Sequence, residues 1–357
     1  VRVDPDKLRL IFFSRWKMIL LIAAEIVGLY YCYQQVMMIA SQYGVILDLS
    51  TMMSVYREQV SYGDVTNDIS GLAAKVQLFS ICVTYVMLYV FIYNVFVARL
   101  KEVHFPWLDR ILYILLIALS VPAVLLSGGR GQLVYLLIAT CVFMIMIRKN
   151  IIGWDRHVSF SYLWKIFIIG VIGALLFFFS RDLLGRPETN GPLDYIALYF
   201  GGSVVGLDYY LNGGLVEVRP FDFMGIETFK ELVNMLARHD LINIPPFILH
   251  SEFVYINGIS IGNIYTGYYP WHKDFGIPGI LVLGGLMSFL TTYVYRKVSI
   301  TGNGLPFFAL VASIMLPDVF FHAFGLAFYG TVVSSKLITQ IIFCYTTFYL
   351  LRSRRHE

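Results

Sequence analysis

Long apolar stretches separated by shorter polar segments form the dominant pattern along this chain. A helix needs about 20 mostly apolar residues to cross the hydrocarbon core of a bilayer, and about eight stretches approach that length. The predicted spans are residues 18–40, 72–98, 111–126, 133–147, 162–180, 276–295, 305–321 and 331–351. This pattern predicts an all-α, polytopic integral membrane protein.

The segment between the fifth and sixth spans, residues 181–275, is long and mixed in polarity. A structureless loop of that length is uncommon, so we expect an extracytoplasmic cap with short helices such as 225–237. Residues 193–211 are apolar enough to enter the membrane, and we predict a re-entrant or interfacial helix there. The chain then divides into an N-terminal bundle of five spans (1–180), the cap, and a C-terminal bundle of three spans (276–357).

Composition supports the membrane prediction, because hydrophobic residues make up 58% of the chain and charged residues only 14%. Soluble domains carry about 25% charged residues. The net charge is +4, but Lys and Arg are spread in short clusters, so no nucleic-acid partner is expected. The chain begins with Val1 rather than methionine, which predicts a longer protein with further spans upstream.

Basic residues between the apolar stretches predict the orientation. Most of the 27 Lys and Arg fall in five segments, at 2–17, 99–110, 148–165, 296–297 and 352–355. If the predicted spans alternate, all five segments lie on one side, and short basic loops mark the cytoplasmic side. The cap and the turn near residue 130 then lie outside.

Three arginines lie on the predicted outer side, although basic residues in short loops normally mark the cytoplasmic side. Arg130 follows two glycines in the turn at 127–132, Arg181 ends the fifth span, and Arg186 follows it. A planar guanidinium donates paired hydrogen bonds to phosphate oxygens and keeps its charge, which fits a diphosphate ligand. The competing interpretation is an interfacial arginine that extends to the headgroups or pairs with Asp182.

A second group of candidates directly precedes the sixth span. Tyr265 and Tyr268 belong either to an interfacial aromatic belt or to a surface that stacks on sugar rings, with Asn263 beside them. His272 and Asp274 are candidates for a general base, which must lie within hydrogen-bonding reach of the proton that it takes. These residues therefore form either an ordinary interfacial belt or a carbohydrate site at the outer interface.

Three further ionisable residues complete the candidate set. His250, in the cap, is another candidate base. Asp318 and His322 fall one helical turn apart at the outer end of the seventh span, where ionisable groups usually face a bundle interior or a wet cavity. Either they line the same chamber as the other candidates, or Asp318 pairs with Lys336.

Other chemistries lack their motifs in this sequence. It contains no glycine-rich nucleotide loop, no HExxH and no GxSxG. The four cysteines lie inside apolar stretches without a CxxC or Cys/His spacing, which excludes a recognisable zinc motif. Neither a metal nor another cofactor is therefore expected.

Three short motifs resemble the oligosaccharide repeat-unit polymerases, the Wzy-type O-antigen polymerase family. The first is Ser-Gly-Gly-Arg at 127–130, and the second is the external region after Ser180-Arg181, with an apolar helix at 195–212. The third is Asn-Ile-Tyr-Thr at 263–266, followed by Asp-Phe-Gly-Ile-Pro-Gly at 274–279. The likeness extends over residues 110–295.

The resemblance implies a GT-C-type glycosyltransferase of the bacterial cytoplasmic membrane, acting at the outer face without metal or nucleotide sugar. Its donor and acceptor would be oligosaccharides linked to undecaprenyl diphosphate, and a chain-length regulator would be a further partner. Arg130, Arg181 and Arg186 would hold the diphosphate and stabilise charge on the leaving group. The general-base role stays open among three side chains: His250, His272 and Asp274.

Other functions remain alternatives at this point. An O-antigen ligase, or another glycosyltransferase that uses a polyprenyl-diphosphate sugar, would need the same arginines. A flippase for lipid-linked oligosaccharides, or another transporter, would place polar residues near the bilayer midplane. Here the polar candidates gather at the outer interface, which favours an enzyme. A purely structural subunit would leave the outer arginines unexplained.

Overall fold

The computed structural model of the chain is almost entirely helical. It describes all residues except 1–4, 45–47, 63–70, 155–156, 158, 184–191, 215–222, 246, 248–251, 264, 301–303, 326–327 and 354–357. The only sheet in the described ranges is a two-stranded antiparallel hairpin, formed by β1 (Val254–Ile256) and β2 (Ile259–Gly262). The predicted all-α class is therefore confirmed.

The helices follow the apolar stretches closely. They are α1 (Arg15–Ser41), α2 (Leu49–Tyr62), α3 (Gly71–Lys101), α4 (Trp107–Leu125), α5 (Gly131–Ile152), α6 (Phe160–Leu183), α7 (Pro192–Leu211), α8 (Lys230–Arg238), α9 (Tyr268–Lys297), α10 (Phe307–Phe320), α11 (Phe328–Val332) and α12 (Ser335–Leu351). In the part of the chain that the structure describes, six are long and apolar enough to cross a membrane: α1, α3, α4, α5, α6 and α9. These six correspond to the first six predicted spans.

The last two predicted spans correspond to shorter helices. α10 has 14 residues and α12 has 17, fewer than the approximately 20 that a span needs. The stretch predicted as the eighth span is interrupted by a turn, in which the Ser334 amide donates to the Thr331 carbonyl at 3.4 Å. The structure therefore supports a multi-pass protein with six of the predicted spans.

Contacts divide the chain into two compact units. Unit 1 comprises Val1–Arg186, Val294–Ile314 and Thr339–Glu357, and unit 2 comprises Pro187–Tyr293 and Met315–Ile338. This division cuts across the three consecutive domains predicted from the sequence, because the predicted cap shares unit 2 with the first part of α9 and the segment around Asp318. Folding contacts join segments that are distant along the chain.

α3 is the central helix of unit 1, with a largely buried middle and contacts to α1, α4 and α5. α1 crosses α3 closely, since a β-carbon on Gly28 would lie 2.8 Å from Val76 Cγ1. Small residues commonly allow such approaches between membrane helices. Glu25 is buried on the same side of α1 and interacts with Ser80 of α3, so this contact also holds a polar pair.

The described parts of the five basic segments gather at one end of unit 1. Arg15 forms a bidentate ion pair with Asp109, in which Nε donates to Oδ1 at 2.6 Å and Nη2 donates to Oδ2 at 3.1 Å. Other contacts join the remaining segments: Ser14 N to Leu351 O (2.9 Å), Phe96 to Tyr162 (6.1 Å between ring centroids), and Ile300 N to Asn150 Oδ1 (3.3 Å). This arrangement agrees with the alternation on which the predicted orientation rests.

α7 packs tightly within unit 2, in the region predicted as a membrane-touching helix. A β-carbon on Gly202 would lie 2.9 Å from the carbonyl oxygen of Ile261 in β2. The neighbouring Ser203 hydroxyl donates to the Ala323 carbonyl at 2.7 Å. The predicted helix is confirmed, and Gly202 of its Gly-x-x-x-Gly pair permits close packing, whereas its depth in the membrane stays a prediction.

Replacing Gly202 with alanine should lower the melting temperature in detergent by several degrees. The added methyl group meets backbone atoms, which cannot move aside as a flexible side chain can, and overpacking typically costs about 1–3 kcal/mol. Gly201→Ala is the matched control, because nothing lies within 4 Å of a β-carbon there and alanine favours the helix. Equal melting temperatures for the two variants would contradict this packing.

α9 is broken at Gly276, where the predicted sixth span begins. Gly276 adopts φ 64° and ψ −159°, a conformation that is essentially restricted to glycine. Pro278 follows and lacks the amide that would continue the hydrogen-bonding pattern of the preceding turn. The segment before the break therefore packs within unit 2 in its own direction, and it carries the second group of candidate residues.

Candidate functional site

The turn that leads into α5 positions Arg130. Gly128 has φ +76°, a left-handed conformation that favours glycine, and the Ser127 hydroxyl donates to the Val124 carbonyl at 2.7 Å. Tyr56 and Arg57 of α2 lie against Gly128, at 3.5 and 3.7 Å from an ideal β-carbon. The sequence therefore forms a compact turn that directs Arg130 inward from the position just before α5.

The Arg130 guanidinium is held inside unit 1. Arg130 is only 1% exposed, and its guanidinium carbon Cζ lies 4.2 Å from the centroid of the Phe177 ring. Nη1 also donates to the Phe177 carbonyl at 3.1 Å. A buried cation of this kind gains from the aromatic face, and the stacking fixes the plane of its donors.

Arg181 lies on α6, one turn after Phe177. Its guanidinium carbon is 5.0 Å from the ring centroid of Phe178, the residue that follows the aromatic partner of Arg130. Both cations are therefore placed against one turn of α6, at the end of unit 1 opposite the five basic segments. Arg186, the third predicted phosphate ligand, lies outside the described residues.

Arg57 is a basic residue that the sequence analysis did not single out. Its Cβ and Cγ atoms lie against the Gly128 turn, so its side chain starts close to the segment that carries Arg130. The available signal was a cation in a segment predicted to be external, which the acidic residues around it obscured.

Unit 2 contains a compact aromatic cluster around His322. The His322 ring centroid lies 4.5 Å from Trp271 and 4.7 Å from Tyr268, and Tyr329 lies 5.6 Å from Trp271. The His322 carbonyl accepts the Gly267 amide at 2.7 Å. The imidazole covers that glycine so closely that a β-carbon there would lie 2.1 Å from Nδ1.

Several polar atoms of this cluster are buried without a hydrogen-bond partner among the described residues. They are both ring nitrogens of His322, Nε1 of Trp271 and Oγ1 of Thr266. Leaving such a group unsatisfied costs about 1–3 kcal/mol, so it requires an explanation. Tyr268 is 42% exposed, so its ring is the part of the cluster that a ligand with a flat apolar face can reach.

Asp318 is fully buried and lies on α10, one turn before His322. Lys336, the alternative partner considered for it, is exposed on α12 and forms no ion pair within the described ranges. The structure brings Tyr268 and His322 together, with Asp318 one turn before His322, and their contact with a substrate stays a prediction.

The Asp274 carboxylate accepts hydrogen bonds from backbone amides of the cap. Oδ2 accepts the Thr228 amide at 2.7 Å, and Oδ1 accepts the Glu227 amide at 3.5 Å. Next to it, Lys273 Nζ lies 2.8 Å from Glu227 Oε1. These bonds join the turn before α8 to the start of α9, and the role of Asp274 as a base stays a prediction.

His272 contacts a side chain rather than backbone amides. Its Nδ1 lies 3.2 Å from the Tyr210 hydroxyl, which fixes the ring and leaves Nε2 as the second position for a proton. His250, the third candidate base, lies outside the described residues. The general-base role stays a prediction, with His272 as the described candidate whose side chain is not already committed to backbone amides.

Asn263 and Tyr265 follow the hairpin of unit 2 in the chain. Tyr265 stacks on Tyr269 at 4.6 Å, and its hydroxyl donates to the Glu252 carbonyl at 2.8 Å. Burial raises the pKa of Tyr265 to about 12, so its phenol stays protonated at neutral pH. Asn263 is partly exposed directly after β2. Tyr265 therefore supports the local fold, and its predicted contact with a substrate stays a prediction.

No protein-family model, curated protein or solved structure matches this chain. The functional conclusion therefore depends on the residues of the two clusters described above. In the described part of the chain, no group of three or more His, Cys, Asp or Glu side chains could hold a metal ion. The cluster in unit 1 offers guanidinium groups. The residues described in unit 2 offer imidazole, indole, phenol, hydroxyl and carboxylate groups.

Proposed function

We propose that this chain is a membrane glycosyltransferase that polymerises a surface polysaccharide from lipid-linked repeat units at the extracytoplasmic face. The observation that carries the proposal is the placement of Arg130 and Arg181 against one turn of α6, opposite the basic end of unit 1. Short loops rich in Lys and Arg normally lie on the cytoplasmic side, so cations at the predicted outer end need another explanation. An anionic ligand supplies it.

The arginines suit the leaving group of this reaction. Transfer breaks the bond between the sugar anomeric carbon and a diphosphate oxygen, and negative charge grows on that oxygen. Guanidinium groups oriented in advance stabilise such charge at little reorganisation cost. The stacking of Arg130 on Phe177 supplies this orientation. The donor then needs neither a nucleotide nor a metal, because the polyprenyl diphosphate is itself the leaving group.

The aromatic cluster of unit 2 suits the glycan. Tyr268 is 42% exposed and offers a ring that packs on the apolar face of a sugar, while the fully buried Trp271 supports the rings of Tyr268 and His322 from within. The acceptor hydroxyl attacks the anomeric carbon and gives its proton to a base. Within unit 2, His272 is the described side chain that we propose for that role. A chain-length regulator is a further proposed partner.

Deleting the gene and separating the surface glycan by size tests this function. A missing polymerase leaves single repeat units on the final acceptor, and the wild-type gene restores the ladder of long chains. A missing ligase instead leaves long chains on the lipid carrier, and a missing flippase traps single units inside the cell. Either of these two patterns would contradict the polymerase assignment.

A further inference from the structure

A cavity of about 470 Å³ opens at the basic end of unit 1. It lies where the ends of α3 and α5 meet the start of α6. Its polar lining consists of three cations and three hydroxyl groups: Arg99, Arg148, Lys165, Ser159, Ser161 and Tyr162. The rest of the lining is apolar, and none of the described residues that line it is acidic. The cavity therefore has a positive side and an apolar side.

Arg148 and Tyr162 form the inner part of this cavity. The Arg148 guanidinium carbon lies 4.2 Å from the centroid of the Tyr162 ring, and Nη2 donates to Ser159 Oγ at 3.3 Å. Tyr162 is 95% buried, yet its hydroxyl has no hydrogen-bond partner among the described residues. A buried phenol without a partner is costly, so a ligand oxygen in the cavity would remove that cost.

We propose that this cavity binds the phosphate of an anionic phospholipid in the leaflet at the basic end of the bundle. Arg99, Arg148 and Lys165 neutralise the phosphate, and the Tyr162 hydroxyl donates to it. The apolar side of the cavity accepts the first carbons of the acyl chains. Basic pockets between membrane helices on the cytoplasmic side bind anionic headgroups in this way.

A lipid explains the lining better than a free phosphate ion does. A free ion would use the cations and the phenol but leave the apolar wall in contact with water. The cavity also lies at the ends of membrane helices, where a headgroup is delivered by the bilayer itself. The site is independent of the proposed transferase reaction, since it depends only on residues at the basic end.

The test uses the full chain in a neutral detergent, with phosphatidylglycerol, phosphatidylcholine and inorganic phosphate as probes. We expect native mass spectra to show one retained phosphatidylglycerol, and this lipid to raise the melting temperature by several degrees. Phosphatidylcholine and inorganic phosphate should do neither. Tyr162→Phe keeps the ring beneath Arg148 and should weaken lipid binding about tenfold, the value of one hydrogen bond to a charged group.

The variants separate the cavity from general attraction of lipid to a basic surface. Arg148→Gln combined with Lys165→Gln should abolish retention, whereas Arg296→Gln, which removes a cation at the same end outside the cavity, should leave it unchanged. Equal retention by all variants would overturn the site. Displacement of the lipid by millimolar phosphate, with the same thermal shift, would assign the cavity to a free anion instead.

Discussion

Arg130→Lys should reduce polymer formation by about 100-fold while leaving the protein in the membrane, as expected for loss of one preorganised donor at a developing anion. Lysine keeps the positive charge but loses the planar fork that donates paired hydrogen bonds to phosphate oxygens. Its flexible ammonium also cannot reproduce the stacking at 4.2 Å on Phe177. The measurement is the length distribution of glycan made from lipid-linked repeat units in membranes.

Two controls separate ligand binding from structural support. Arg181→Lys changes a less buried cation on the same turn of α6, so it should lower activity with a smaller change in melting temperature. Arg296→Lys, at the basic end of α9, should affect neither quantity. Wild-type chain length in the Arg130→Lys protein would count against the diphosphate assignment, whatever its melting temperature.

The sequence predicted the long helices well because their formation depends on local composition. A stretch of apolar residues has no alternative in a bilayer to a helix that satisfies its own backbone, and this holds for α1, α3, α4, α5, α6 and α9. The start of the sixth span at Gly276 also follows from local chemistry, namely a glycine followed by a proline two positions later. Such features need no tertiary information.

Other elements depended on contacts that sequence spacing cannot reveal. The pairing of Trp271 with His322 joins residues about fifty positions apart, and no periodicity relates them. Asp274 is a candidate base because it is acidic and near the interface, and its bonds to the amides of the turn before α8 could not be predicted from the sequence. Whether an ionisable residue serves chemistry or folding is decided by which distant segment reaches it.

Gly267→Ala should strongly destabilise unit 2. A β-carbon on Gly267 would lie 2.1 Å from Nδ1 and 2.2 Å from Cε1 of His322, far inside van der Waals contact. The imidazole cannot swing away freely, because Trp271 lies 4.5 Å and Tyr268 4.7 Å from its centroid. We expect a loss of about 2–3 kcal/mol in stability, measured as a lower melting temperature in detergent.

A double-mutant cycle assigns this cost to the ring rather than to the glycine backbone. In a His322→Ala protein the imidazole is gone, whereas the carbonyl that accepts the Gly267 amide remains, so adding Gly267→Ala should cost little. The predicted coupling is about 2 kcal/mol, well above the error expected for independent sites. An equal penalty in both backgrounds would mean that His322 is not held over Gly267, and the aromatic cluster would then lose its place as the proposed glycan contact.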